Sequence, residues 1–183
     1  MNSSLVLSRR NFLYAGLGAG IAGAGLFSGL SQHLRSADRE LNIFIPLTGE
    51  RVRAVFWSGG EYVKEGIAEL QTALRDFVTN EVGTVEIALL EILHHLGHKL
   101  NGRPEFEIVR GYMTNHADAP FTNGSPDSYH TAGQAVDLRI AGLSLEHIAM
   151  EFINLVDGGV GVYPVQNFVH LDIGPQKRWQ AVS

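Results

Sequence analysis

The chain has 183 residues, of which 45% are hydrophobic and 18% charged, a balance typical of a single globular domain rather than a disordered chain. Its formal net charge of −5, without any basic run, argues against nucleic-acid binding, which needs a cationic surface. The absence of cysteine excludes disulfides, thiolate metal sites and cysteine nucleophiles.

The first 36 residues are expected to be a targeting segment. Residues 8–13 read SRRNFL, a twin-arginine pattern, and a weakly apolar stretch follows to about Leu30. A membrane anchor is the alternative, because the stretch is about long enough to span a bilayer, but its six glycines make it a poor helix. We therefore expect residues 1–36 to be an export signal with transient inner-membrane contact, and residues 37–183 to form one periplasmic domain, inner-membrane anchored if the signal is not cleaved. Removing the signal changes the formal net charge from −5 to −8.

A β-hairpin is predicted over residues 41–57, where apolar residues alternate on both sides of a turn at residues 48–50. Pro46 lacks a backbone donor, so we expect its strand to lie at a sheet edge there. Helical spacing of apolar residues then predicts one helix over residues 62–79 and a second from about Val85 to Leu96.

A short strand at residues 107–109 precedes a loop over residues 111–128, whose length is typical of a functional segment. Further strands are predicted at residues 135–140 and, as the last one, at residues 168–173, with a third helix between them that begins after Ser144. Two or three packed helices and at least four short strands in mixed order predict an α+β fold with a small, mostly antiparallel sheet.

Two histidines and one aspartate lie on or beside the last two predicted strands. Asp137 and His170 each belong to the polar face of their strand, so they would face each other if the strands are neighbours. His130 would fold back over them through a turn that Gly133 permits. Two imidazoles and a carboxylate are an acceptable ligand set for a zinc ion with one position open for water, and a metal-activated water can hydrolyse an amide. The sequence therefore predicts a Zn²⁺ site at His130, Asp137 and His170.

Amide hydrolysis also needs a group that accepts a proton from water and returns it to the leaving amine. Asp172 is the candidate on pattern, because it shares a strand face with His170. Its alternative role is to orient that histidine as a metal ligand. His116, in the long loop, is a second candidate, and an exposed loop histidine is the alternative there.

A second group of histidines lies on the second predicted helix. His94 and His98 are spaced i, i+4, which suits metal binding, and His95 lies between them. They fall outside the apolar stripe, together with Glu91, and no H-E-x-x-H motif is formed. We expect these side chains to form a solvated surface.

The pattern of Ser128, His130, Gly133, Ala135 and Asp137 resembles the S-x-H-x-x-G-x-A-x-D signature of the zinc D-alanyl-D-alanine peptidase superfamily. The rest of the chain after residue 40 resembles its YcbK-like branch, the twin-arginine-exported murein endopeptidases. That likeness lies in a T-G-E hairpin (48–50), an L-R-D segment (74–76), a G-Y loop (111–112) and a C-terminal block (158–174, with 178–179). The resemblance implies a small antiparallel sheet in an α+β fold, zinc ligands at the three residues named above, and hydrolysis of peptide cross-links between peptidoglycan stems.

Three departures from the branch pattern bear on activity. Leu47 stands where a histidine is usual, and Met113 stands where the arginine of G-Y-R is usual. Asn167 and Phe168 occupy positions where many relatives carry a general base, and neither accepts a proton. Arg110 would replace the missing arginine only if its side chain reached the same cleft. Two alternatives follow: a catalytically weak homologue that binds wall peptides or a cell-wall partner, and a hydrolase of small exported peptides.

Overall fold

The computed structural model describes residues 38–100, 102, 104–115 and 128–181. These residues form one eight-stranded sheet with three helices. The strands are β1 Arg39–Ile45, β2 Glu50–Ser58, β3 Glu61–Tyr62, β4 Glu105–Arg110, β5 Ala135–Arg139, β6 Gly159–Tyr163, β7 Phe168–Asp172 and β8 Lys177–Gln180. The helices are α1 Lys64–Ala73, α2 Ile87–Lys99 and α3 Leu145–Leu155. The predicted export signal lies outside the described residues, and no described helix has the length and apolarity needed to cross a membrane.

The strand order is β3-β2-β1-β4-β5-β7-β6-β8. The β1–β4 and β6–β8 pairs are parallel and the other five neighbouring pairs are antiparallel, so the α+β fold with a mostly antiparallel sheet is confirmed. The sheet is large rather than small, because β6 and β8 extend it beyond β7. Gly159 and Gly161 obscure β6 in the sequence, since glycine is depleted in strands. The expected edge at Pro46 is wrong: β1 lies between β2 and β4, and Pro46 belongs to the turn that follows β1.

The first helix is shorter than predicted and ends at Ala73 rather than at residue 79. The carboxylate of Asp76 accepts the backbone N–H groups of Val78 (2.8 Å) and Thr79 (3.2 Å), which offers this segment a turn in place of a further helical turn. The third helix begins as predicted, because Ser144 Oγ accepts the N–H of His147 at 3.2 Å.

One face of the sheet is covered by the helices and forms the core. Alternate strand residues enter one apolar cluster with the helices, among them Leu41, Ile43, Ile108, Val136, Leu138, Val169 and Leu171. Each such side chain contributes about 1.5–3 kcal/mol when it is fully buried. Because strand side chains alternate, residues of the other parity, including Asp137 and His170, lie on the face away from the helices.

The predicted solvated histidine surface on α2 is wrong in part. Glu91 and His94 are buried, with 2% and 8% of their surfaces exposed, and His98 is exposed. Glu91 accepts the Tyr62 hydroxyl at 3.1 Å and pairs with Arg39. Contacts from β1 and β3 therefore cover a side of α2 that lies outside its aliphatic stripe, and they supply partners for Glu91 Oε1 and His94 Nδ1.

Candidate metal centre

The register between β5 and β7 brings the two strand ligands opposite each other, as the alternation predicts. The strands are antiparallel neighbours, and Asp137 pairs with His170. Asp137 is fully buried. Two residues that are 33 positions apart in the chain therefore meet on the sheet face that the helices leave uncovered.

His130 reaches them from a tight turn that precedes β5. Ser128 Oγ accepts the His130 N–H at 3.2 Å and so shapes the turn. Gly133 adopts a φ of +64°, the left-handed region, and a Cβ there would overlap the Thr84 carbonyl group. The Gly133 carbonyl accepts the Glu86 N–H at 2.9 Å, which fixes the turn to the start of α2. The spacing of the signature thus reflects one turn packed against one helix terminus.

Three donor atoms form a compact triangle. His130 Nε2 lies 3.3 Å from Asp137 Oδ1 and 3.2 Å from His170 Nδ1, and the last two atoms lie 2.8 Å apart. Ligands bound tetrahedrally at zinc distances lie about 3.3 Å from one another. Two of the three separations match this value, and the 2.8 Å separation is shorter. Two imidazoles and one carboxylate this close together could hold a zinc ion, and they are the one cluster of three such groups among the described residues.

Hydrogen bonds on the far side of each ring select the nitrogen that faces the cluster. His130 Nδ1 lies 2.7 Å from the Gly111 carbonyl oxygen and donates to it, which leaves Nε2 directed at the other donors. His170 Nε2 lies 3.2 Å from Asp172 Oδ2, which leaves Nδ1 directed inward. Both rings are therefore held in the orientation that ligation requires.

Asp172 itself is fixed by the backbone. Its Oδ1 accepts the N–H groups of Gly159 (3.2 Å) and Gly174 (2.7 Å), and the side chain is buried. A Cβ on Gly159 would lie 2.6 Å from the Asp172 carboxyl carbon, so glycine is required on the neighbouring strand. The carboxylate contacts the His170 nitrogen opposite the cluster, so its oxygen lies behind the ring rather than beside the donors.

The buried charges in this site stabilise one another. Burial by itself raises the pKa of the Asp137 carboxyl, but the charge of His130 and hydrogen bonds from His130 and His170 outweigh burial and hold that pKa well below its usual range. Burial lowers the pKa of His170, whereas hydrogen bonds to Asp137 and Asp172 raise it, with a net value of about 9. Two carboxylates therefore favour positive charge at this point, which suits a divalent cation.

The residues that depart from the branch pattern have clear positions. Met113 is 4% exposed and its N–H donates to the His130 carbonyl at 3.3 Å, so its side chain lies in the protein interior. Arg110 forms an ion pair with Asp137 Oδ2, next to the donor triangle. Phe168 is buried and Asn167 lies in a turn with a φ of +56°. His116 lies outside the described residues.

Sequence reasoning did not predict the group of aromatic rings beside His170, which is formed by Trp179, Tyr163 and Phe168. The Trp179 ring lies 5.2 Å from the His170 ring, over Gly161, where a side chain would overlap the indole. Trp179 Nε1 donates to the Tyr163 hydroxyl at 2.9 Å, and Tyr163 stacks on Phe168 with ring centroids 4.5 Å apart. The Gly-x-Gly pattern of β6 was the available signal, because glycine inside a strand often marks the close approach of another group.

Two other segments of the resemblance meet away from the donor triangle. Arg75 of L-R-D pairs with both carboxylate oxygens of Glu50 in T-G-E, at 2.9 and 3.0 Å. Asp76 accepts the Thr114 N–H and hydroxyl, both at 2.8 Å, and thereby holds the segment after β4. A cleft of about 950 Å³ between β2 and α1 includes Glu50 and Arg75 but none of the three donors. These motifs therefore support the scaffold.

Comparisons with known proteins find similar sequences over most of the chain. The Peptidase_M15_2 family model, described as Peptidoglycan L,D-endopeptidase MepK, matches residues 34–179. The chain is 34% identical over 179 residues to Peptidoglycan L,D-endopeptidase MepK of Escherichia coli K12 and to that of Shigella flexneri, covering 94% of this chain and 97% of each relative. It is 33% identical over 140 residues to the Probable peptidoglycan L,D-endopeptidase MepK of Haemophilus influenzae, covering 74% and 75%. No solved structure matches the chain significantly.

Proposed function

This chain belongs to the Peptidase_M15_2 family, a murein endopeptidase branch of the zinc D-alanyl-D-alanine peptidase superfamily, and from that premise we propose that it hydrolyses L,D peptide cross-links in peptidoglycan with a bound Zn²⁺ ion. The observation that carries the proposal is the triangle of His130 Nε2, Asp137 Oδ1 and His170 Nδ1. Two of its edges, at 3.2 and 3.3 Å, match tetrahedral zinc ligation, and the third is shorter at 2.8 Å. The partner is the peptide stem of the wall polymer.

His130, Asp137 and His170 would hold the ion. When bound there, it supplies a Lewis acid that polarises the scissile carbonyl and lowers the pKa of a water molecule. The chain's own contribution is preorganisation: Asp137 stays ionised, and both imidazoles are held with the ligating nitrogen inward.

Asp172 has two sequence-based roles, proton acceptor and orienting group, and we assign it the orienting one. Its Oδ2 bonds the His170 nitrogen that faces away from the donor triangle, and its Oδ1 is occupied by two backbone N–H groups. This arrangement supports a positioning residue that acts on the reaction through His170.

We further propose that the protein acts in the periplasm after export by the twin-arginine route. The support is the SRRNFL pattern at residues 8–13 ahead of a domain that starts near residue 37. This location gives the enzyme access to its polymer.

The test is digestion of purified, cross-linked peptidoglycan by the full chain loaded with Zn²⁺, followed by separation of the muropeptides. We expect cross-linked dimers with L,D bonds to decrease while D,D-linked dimers persist. His170→Ala should abolish the decrease, and His147→Ala, which removes an exposed histidine on α3, should not. Loss of D,D-linked dimers alone would contradict the assigned specificity.

A wall-binding protein of weak activity is the second candidate, and the buried Met113 favours it, because it leaves the usual arginine position without a cation. Unchanged muropeptides from zinc-loaded protein that still sediments with the polymer would support this candidate and contradict hydrolysis. Cleavage of short soluble peptides without digestion of the wall would instead indicate a hydrolase of small exported peptides.

A further inference from the structure

A β-bulge in the strand before the G-Y loop changes the direction of one arginine. The pairing of β4 with β5 runs Glu107 with Arg139 and Ile108 with Leu138, and then shifts so that Arg110, not Val109, pairs with Asp137. Such a bulge places an extra residue in one strand and redirects the side chains that follow it. In regular pairing Val109 would lie opposite Asp137, and Arg110 would point to the helix-covered face.

The redirected side chain contacts the predicted ligand carboxylate directly. Arg110 Nε forms an ion pair with Asp137 Oδ2, the oxygen that does not join the donor triangle. Within the described part of the chain, Oδ2 accepts no hydrogen bond of normal geometry, so its contact is with the guanidinium charge. The guanidinium carbon also lies 5.1 Å from the centre of the Phe168 ring, which limits where the arginine can move.

Because the two oxygens of Asp137 have different partners, the ion pair at Oδ2 can restrain the orientation of Oδ1. A buried carboxylate without a partner on one oxygen can rotate about its terminal torsion, which is a broad one. A cation fixed at Oδ2 opposes that rotation and keeps Oδ1 aimed at the two imidazoles. Asp137 is fully buried and its Oδ2 is removed from solvent, so bulk water does not supply this restraint.

We propose that Arg110 is a positioning residue for the metal ligand Asp137, and that the β4 bulge exists in this fold to place it there. The inference rests on the proposed metal site but concerns metal affinity rather than the reaction. It also gives the site a cation by a route different from the usual arginine position, which Met113 occupies with a buried side chain.

Removing Arg110 would change the Zn²⁺ affinity through two opposing effects, so the direction of the change shows which effect dominates. A guanidinium next to a ligand repels a divalent ion, so its removal would tighten metal binding if repulsion dominated. Its removal also frees the carboxylate, and loss of a group that orients a metal ligand weakens binding by about 10- to 100-fold. We expect the orienting effect to dominate, because the arginine contacts the oxygen that points away from the donor triangle.

The experiment measures the Zn²⁺ dissociation constant of the full chain by competition with a chelator of known affinity. Arg110→Gln should weaken Zn²⁺ binding by about 10- to 100-fold. The matched control is Arg139→Gln, which removes the same charge two residues from Asp137 on the same strand face but breaks only the 2.6 Å contact with Glu107. This control should bind Zn²⁺ within about threefold of the parent, as expected for a partly exposed charge.

Equal or tighter Zn²⁺ binding by Arg110→Gln than by Arg139→Gln overturns the proposal. If Arg110→Gln does not fold, Arg110→Lys and Arg139→Lys decide it, because lysine does not reproduce a guanidinium contact. The Arg110 variant should then bind at least about threefold more weakly, and equal constants overturn the proposal. Failure of the zinc-loaded parent to digest peptidoglycan would instead refute the proposed function. The comparison of Zn²⁺ dissociation constants would still test the role of Arg110.

Discussion

Replacing Gly133 by alanine should destabilise the fold much more than the same change at Gly142, although both residues have a positive φ, +64° and +79°. At Gly142 nothing lies within 4 Å of the added Cβ, so only the backbone strain of about 1–2 kcal/mol applies. At Gly133 the Cβ would overlap the Thr84 carbonyl group and lie 3.0 Å from the Val85 Cα. Both neighbours belong to the backbone, so the whole turn must move.

That movement has a cost that can be worked from the contacts. It breaks the 2.9 Å hydrogen bond from the Glu86 N–H to the Gly133 carbonyl, which contributes about 1 kcal/mol. It also disturbs packing around the buried Val85, at about 1–3 kcal/mol. We therefore expect Gly133→Ala to cost about 2–4 kcal/mol more than Gly142→Ala, or a melting temperature lower by about 5–10 °C.

The assay is urea unfolding of both variants in the presence of a chelator, followed by circular dichroism, so that metal binding does not contribute. Equal slopes against urea would show that the unfolded states are comparable. If the two free energies of unfolding agree within about 0.5 kcal/mol, a typical error of such comparisons, the collision at Thr84 is not the reason for glycine in the signature.

Three further predictions concern single carboxylates and one histidine. Asp172→Asn should weaken Zn²⁺ binding about 10- to 100-fold, because His170 loses a charged acceptor; an unchanged dissociation constant in chelator competition would contradict its orienting role. In metal-free protein the pKa of His170 is about 9, above its ordinary value of 6.5, so its charge stabilises the fold below about pH 6.5 and this contribution is lost as the pH rises through 9. The free energy of unfolding should therefore fall between pH 7 and 10 in the parent and stay flatter in His170→Gln. Asp76→Asn should lower the free energy of unfolding by about 2–4 kcal/mol at pH 7, since four donors lose a charged acceptor. The pKa of Asp76 is lowered, because its hydrogen bonds outweigh burial, so the free energies of unfolding of parent and variant should converge as acid protonates this carboxyl. An equal difference between the two proteins at pH 3 and pH 7 would refute the reasoning.

Strand alternation was enough to predict the central pairing of the site. In the strands of Asp137 and His170, every second residue is aliphatic. Burying those aliphatic residues on one face excludes any alignment shifted by a single residue, and it places Asp137 and His170 on the same opposite face. Ser144 likewise carries its own helix-start signal, which is local and does not depend on the rest of the fold.

Features set by distant contacts could not be predicted in this way. The Arg110 bulge depends on how β4 meets β5, and nothing in residues 105–110 marks the extra residue. Glu91 and His94 look like surface residues until β1 and β3 are placed over them, because their partners come from other parts of the chain. The glycine-rich strand β6 has weak strand propensity, and it forms because larger groups from β7 and β8 fill the space that its glycines leave open.

The buried carboxylate on β5 also has a consequence for how the sheet assembles. If β5 slipped by one residue against β7, Asp137 would turn into the helix-packed layer and Val136 would turn toward solvent. Placing an ionised carboxylate in that layer without its partners costs several kcal/mol, far more than a misaligned pair of strands could regain elsewhere. Asp137, a predicted metal ligand, thus also disfavours misaligned pairing of β5 with β7. Selection for chemistry and selection for one strand alignment therefore act on the same side chain.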